Sequence, residues 1–246
     1  MTRRGGAVRI LVYNWPLFAG TWTLALAALL FLSFTRHPLA WVAALASGLA
    51  LVWSIGSLFV SYYIYDRSPL ASGRWVPPLL GSPNPAWATI DAGLDAEVEL
   101  DAVMPGRCVA RLDVFDPRIM TSSSIARARA RTRRRTPAST CSPTDLTLEN
   151  EACDAIVVAF AAHEIRDRVA RQAFFGELRR SLRPGGRALI VEHPRDLANF
   201  LAFGPGFLHF VPRTEWLRLA SHAGLVVAVE ARITPWVLAL ALERPR

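Results

Sequence analysis

One histidine–carboxylate pair stands out in this chain of 246 residues, His163-Glu164, which follows the apolar run 153–160, and a second histidine, His193, follows the run 187–192. A histidine beside a carboxylate can take up and return a proton near neutral pH. Such a pair can equally anchor a loop through backbone hydrogen bonds. No neighbouring Cys, Asp or His completes a ligand set around His163-Glu164. The pair also lacks the spacing of a zinc-binding helix, so no metal is expected. His163, His193 and Glu164 are the candidate catalytic residues.

Further carboxylates fall at other apolar-run ends. The first is Ile90-Asp91-Ala92-Gly93-Leu94-Asp95, where Gly93 would let a turn pass close to a ligand. The second is Asp113-Val114-Phe115-Asp116-Pro117. A carboxylate about 20 residues beyond a first strand turn is placed to grip ribose hydroxyls. Asp116, directly ahead of an expected helix, is the preferred candidate and Asp113 the alternative. A plain turn or N-cap accounts for either motif as well. The segment 199–210 is aromatic and broken by Gly and Pro. It suits the lining of an apolar pocket, a loop dipping into a membrane, or a cover over the core.

These residues need a scaffold of alternating elements. Strands are expected at 87–91, 108–114, 153–160 and 187–192, with one short strand within 136–147. Helices are expected at 94–103, 117–135, 168–182 and 213–223, the last with Thr214 as a cap. Two final strands, 225–231 and 235–242, make a hairpin. Strands alternating with helices mean βαβ units and a mostly parallel sheet. The closing hairpin implies a terminal antiparallel strand. Ligands of such sheets bind at the carboxyl ends of the strands.

Ahead of this lie two apolar runs, 10–34 and 39–65, without internal charge. Each exceeds the about 20 residues a bilayer-crossing helix needs, and a two-helix transmembrane hairpin is expected. Arg3, Arg4 and Arg9 precede the first run and Arg67 and Arg74 follow the second, whereas the turn carries Arg36 alone. The positive-inside rule puts both ends, and the following domain, on the cytoplasmic side of the membrane. Trp15, Trp41, Tyr62, Tyr63 and Tyr65 suit an interfacial belt. A second full-length run argues against a signal peptide. Residues 1–66 are read as the membrane hairpin, 67–86 as a Pro-rich interfacial linker, and 87–246 as one α/β domain.

The net charge is +8, much of it in the arginines of 127–135. That run lacks interleaved aromatics, which single-strand binders use as stacking platforms. No nucleic acid is expected. Anionic membrane lipids or a solvated helix face are the readings kept. Cys108, Cys141 and Cys153 have no ligand spacing and read as small apolar fillers.

The part from Trp87 onward resembles the class I S-adenosylmethionine-dependent methyltransferases, in particular those that modify quinones and lipids. Leu182-Arg183-Pro184-Gly185-Gly186-Arg187-Ala188-Leu189-Ile190 is similar to their turn before the fifth strand. Cys153-Asp154-Ala155-Ile156-Val157 resembles their fourth strand, and Ala162-His163-Glu164 the histidine after it. Asp116-Pro117, Met120 and 125–129 look like the ribose-binding acid and its helix. The resemblance implies a Rossmann-like methyltransferase sheet and S-adenosyl-L-methionine as cofactor. It implies cofactor binding by Asp91, Gly93, Asp95, Asp116, Ser142 and Phe160. Ser142 falls where the family has an acid near the adenine, and Asp95 where it has a glycine. The expected reaction is methyl transfer to a small, lipophilic or membrane-embedded acceptor. The alternative is an inactive fold serving as a membrane-tethered binding or scaffold module.

Overall fold

The computed structural model describes residues 5–35, 37–92, 100–131 and 138–246. The first apolar run is two helices, α1 (Gly6–Tyr13) and α2 (Trp15–Phe34), parted at Asn14. The Asn14 side-chain amide donates to the Ile10 carbonyl at 3.0 Å and closes α1. Pro16 stands in the first turn of α2, where its missing N–H leaves no bond unmade. The second run is α3 (Pro38–Tyr62), begun by His37, whose ring accepts from the Leu39 N–H. The Trp22 indole N–H donates to Ser54 Oγ at 3.0 Å, joining α2 to α3. Both helices are long and apolar enough to cross a membrane. Leu24 and Val52 are each 70% exposed, so no other described residue covers those side chains.

Helix α3 runs into a π-helical turn, Tyr63–Arg67. A 3₁₀ turn (Pro69–Ser72) and the short α4 (Pro77–Leu80) follow. The Asp66 carboxylate accepts from the Gly6 and Ala7 N–H groups at 2.6 and 3.1 Å. It thus satisfies two orphan donors of α1 with the charge sign the helix dipole favours. A Cβ on Gly6 would lie 2.1 Å from the Tyr65 Cβ, so only glycine allows this approach.

The sheet has seven strands in the order β3-β2-β1-β4-β5-β7-β6. They are β1 (Ala86–Asp91), β2 (Arg107–Asp113), β3 (Ser139–Thr140), β4 (Cys153–Ala159), β5 (Leu182–Glu192), β6 (Val226–Thr234) and β7 (Val237–Glu243). All pairings from β3 to β5 are parallel, and β7 runs antiparallel between β5 and β6. The mixed sheet is the expected Rossmann-like methyltransferase topology. Its central strands bury both faces, so they read as unbroken apolar runs. Ile156, Val158, Ala188, Ile190, Leu238 and Leu240 face the core shared with α5 (Ser123–Arg131), α6 (Arg168–Ser181) and α8 (Arg213–His222). Ala155, Val157, Leu189, Val191, Ala239 and Ala241 face the other core, which holds Ile64, Leu70, Val76 and Leu80. The segment expected as a linker therefore covers one sheet face, its small strand partners letting it lie close.

Three expected boundaries shift. Helix α5 begins at Ser123 rather than 117, because Asp116 and Pro117 form a turn closed by the Met120 N–H on the Asp116 carbonyl. Strand β5 starts at Leu182, ahead of the Pro-Gly-Gly turn, because Gly185 and Gly186 pair with Arg244. Pro212, not Thr214, precedes α8, and no side chain caps it. The expected helix 94–103 lies largely outside the described residues, as do Arg36 and 132–135.

Gly6→Ala is expected to undock α1 at a cost of about 1–2 kcal/mol. Trypsin cleavage after Arg9 in detergent micelles should quicken roughly five- to thirtyfold. Cleavage at the wild-type rate would show that α1 is not held there.

Candidate functional site

The chain leaves β1 toward β2 and returns to β4 on the other side of β1, so a crevice opens at the carboxyl ends of β1 and β4. Asp91 and Asp113 end β1 and β2 opposite one another, and both are buried. Asp113 accepts from the Phe115 N–H at 3.1 Å and from Arg129 Nη1 at 2.9 and 3.0 Å. The same guanidinium nitrogen donates to the Ala92 carbonyl at 2.7 Å, and the guanidinium lies 4.1 Å from the Phe115 ring centre. Arg127 donates to the Tyr13 carbonyl at 2.6 Å. These two arginines therefore serve internal contacts rather than a free basic face.

Asp116 sits in the loop beyond β2. It accepts from the Arg118 side chain and backbone N–H, and the Arg118 hydrogen bonds hold its carboxyl below the usual range. Ser142 closes its own turn, with its hydroxyl 2.8 Å from that of Thr144. Gly93 and Asp95 lie outside the described residues. Phe160 directly follows β4, with φ +52° and its N–H on the Val191 carbonyl at 2.9 Å. A left-handed aromatic residue is uncommon, and such strain gathers at functional sites.

His163 and Glu164 occupy a 3₁₀ turn (Ala162–Glu164) and are buried. Glu192, at the end of β5, accepts from His163 Nδ1 at 2.6 Å and from the His163 backbone N–H at 3.2 Å. Burial opposes a charge on His163, but Glu192 and Glu164 outweigh it and lift the imidazole to about 10. His163 is therefore a poor base at neutral pH. Burial works against the Glu164 carboxylate too, yet His163 and His209 hold its carboxyl well below the usual range. His209 Nε2 stands 3.2 Å from Glu164 Oε1.

His193 is the opposite case. Burial lowers its pKa to about 4. Nδ1 lies 2.8 Å from the Trp236 carbonyl, which only accepts, so Nδ1 carries the proton. Nε2 then accepts from the Tyr65 hydroxyl at 2.7 Å. Tyr65, expected in an interfacial belt, is thus turned into the rim by the π-turn. Such turns are frequent at functional sites. The rings of Phe160, Phe203 and Phe210 surround His193 at 5.2, 5.7 and 4.9 Å.

Phe203 ends α7 (Leu197–Phe203), and Phe210 follows the 3₁₀ segment Gly204–His209. This aromatic stretch also grips α3. The Trp53 indole N–H donates to the Leu201 carbonyl at 2.7 Å, and its ring meets Phe200 edge-on at 5.3 Å. Leu197, Leu201 and Leu208 point outward, 70%, 63% and 59% exposed.

The fold thus gathers His163, Glu164, His193 and Phe160 on one side of the crevice and Asp91 and Asp113 on the other. Asp116 and Ser142 stand in surface turns. Glu192, His209, Arg129 and Tyr65 were not singled out by the sequence reading. Glu192 had a strand-end signal; the others are joined by long-range contacts that no local spacing carries.

A model of the methyltransferase domain matches residues 119–190. No functionally curated protein matches the chain. Among solved structures, a SAM-dependent methyltransferase from Aquifex aeolicus is similar at 16% identity and TM-score 0.53, covering 78% of this chain and 98% of its own. The PH0226 protein from Pyrococcus horikoshii OT3 is similar at 15% identity and TM-score 0.50, covering 74% and 98%. The chain is a divergent protein of the class I S-adenosylmethionine-dependent methyltransferase fold.

A histidine with a folded pKa near 4 and about 6.5 when unfolded binds a proton only on unfolding between those values. Its contribution is whole above pH 6.5 and is lost as pH falls toward 4, on the order of 3 kcal/mol. His163, shifted upward, acts with the opposite sign as pH falls toward 6.5 and contributes little slope below about 5.5, where it is protonated in both states. The thermal midpoint in micelles should fall between about pH 5.5 and 4.5, and less steeply in His193→Phe. An unchanged slope in that variant would show that His193 is not the buried neutral group.

Proposed function

We propose that the protein transfers a methyl group from S-adenosyl-L-methionine to a small lipophilic acceptor that enters the crevice from a membrane spanned by α2 and α3. One observation carries this reading: the segment that walls His193 with Phe203 and Phe210 also docks on α3 through Trp53. Ser54, next to Trp53, is bonded to Trp22, seven residues inside the start of α2. At 1.5 Å per residue, α7 therefore meets α3 roughly 10 Å below the top of α2. Leu201, exposed at that contact, suits acyl chains rather than water, as do the exposed Leu197 and Leu208 of the same segment. In this reading the domain faces the cytoplasm, in keeping with the flanking arginines.

The strand-end carboxylates fit a nucleoside cofactor. Asp113 would hold the ribose hydroxyls, exchanging them for Arg129, and Asp91 stands beside it. Bound there, the cofactor supplies an electrophilic methyl group. The acceptor's proton passes toward the Tyr65 oxygen and His193 Nε2, which burial keeps neutral and able to accept. The aromatic wall excludes water and aligns the acceptor. His163 positions the wall by holding the turn after β4 to Glu192.

Arg129 lying on both Asp113 and the Ala92 carbonyl favours one second reading, a membrane-held binding module without turnover.

Calorimetric titration of S-adenosylmethionine into the protein in nanodiscs separates the two. Micromolar binding is expected. Asp113→Asn should weaken it about tenfold or more, because a hydrogen bond to a charged group contributes about 1.5–3 kcal/mol. Asp116→Ala should leave it nearly unchanged. No binding by folded wild-type protein would leave the module reading.

With acceptors sharing one headgroup, Leu201→Glu should lower kcat/KM roughly tenfold for a long-chain acceptor, equivalent to about 1.4 kcal/mol. A short-chain acceptor should be unaffected. Equal losses for both would remove the membrane route.

A further inference from the structure

The turn after β4 and the end of the aromatic segment bring together three ligand-type side chains that are distant in sequence. His163 Nε2 lies 3.5 Å and His209 Nε2 lies 3.2 Å from Glu164 Oε1. The three ligand atoms fall within 4.8 Å of one another. Tetrahedral zinc with bonds of about 2.0–2.1 Å spaces its ligands about 3.3–3.4 Å apart. The two separations from Glu164 straddle that edge.

Three further features point to a cation. Glu164 is 5% exposed, yet its Oε2 has no hydrogen-bond partner among the described residues. Arg166 Nη2 stands off at 3.9 Å. A buried carboxylate oxygen left without a donor is costly, and such an atom calls for an ion or a water. Glu192 holds His163 Nδ1 at 2.6 Å. That fixes the ring so that Nε2 is the nitrogen turned to Glu164. A carboxylate behind a ligating histidine is the usual outer partner of a zinc site.

We propose that His163, Glu164 and His209 bind one divalent transition metal ion of the zinc type, with Glu192 as the outer carboxylate. Two imidazoles and one carboxylate match the borderline-soft preference of zinc and leave a fourth position for water or a ligand oxygen. The ion ties the turn after β4 to His209, and so fixes the segment that carries Phe203 and Phe210. Arg166 is the resident competitor. Its Nη1 donates to the His209 carbonyl at 2.8 Å and its Nη2 lies against the His209 ring. Metal entry requires that guanidinium to leave the ring.

The test is titration of untagged, full-length protein in detergent micelles with Zn²⁺ against a chelator, and with Co²⁺ followed by visible absorption. One tight equivalent is expected, with the intense visible bands of tetrahedral cobalt and a raised thermal midpoint. His209→Ala should abolish all three signals while its circular dichroism stays that of wild type. Glu192→Gln should weaken binding about ten- to hundredfold. Arg166→Ala should tighten it. Absence of a tight equivalent in wild-type protein overturns the proposal, as does tight binding that survives in both His209→Ala and His163→Ala. Neither readout depends on methyl transfer.

Discussion

Neighbouring side chains of one π-turn hold the two halves of this molecule together. Tyr65 bonds to His193 at the strand rim, while Asp66 receives the first N–H groups of α1. Ile64, beside them, is fully buried in the core on one sheet face. A regular α-helical end would space these residues differently around the axis; the wider turn sets the three contacts together. Ser68 closes it, its hydroxyl on the Ile64 carbonyl at 2.5 Å. The position of the apolar helices, the docking of α1 and the proton-accepting face of His193 all depend on that turn.

Electrostatics at the rim are arranged by burial. His163 and His193 lie at adjacent strand ends and are displaced in opposite directions. The difference is what each imidazole faces. His163 has two carboxylates within reach, whereas His193 has a carbonyl, a phenol and aromatic rings. One site can thereby hold a cationic and a neutral histidine at the same pH, a division of labour that two exposed histidines could not sustain.

Much of this fold was legible because its strands are buried on both faces and bounded by Pro, Gly and charge. The runs around Ile156, Ile190 and Leu240 could be little else than central strands. The Pro-Gly-Gly turn was visible, but not its pairing with Arg244, which is made by the far end of the chain. Helix α5 was misplaced by six residues because Pro117 reads equally well as a first helical turn or a surface turn. The site was harder to read. His163 and His193 were found from strand ends, but their contrasting environments depend on Glu192, Tyr65 and Trp236, which converge from three elements. Asp113 and Asp116 are indistinguishable by spacing; only the register with Asp91 separates them.

The docking of α7 on Trp53 bears on how separable the parts are. A boundary at residue 66 is natural by composition, yet it cuts between Asp66 and the core residues Leu70 and Val76. Cutting there would strip Tyr65 from His193 and leave Phe200 without its indole partner. The apolar helices are thus less a tether than a missing wall of the α/β domain. A version shortened to its α/β half would be an incomplete fold rather than a liberated one.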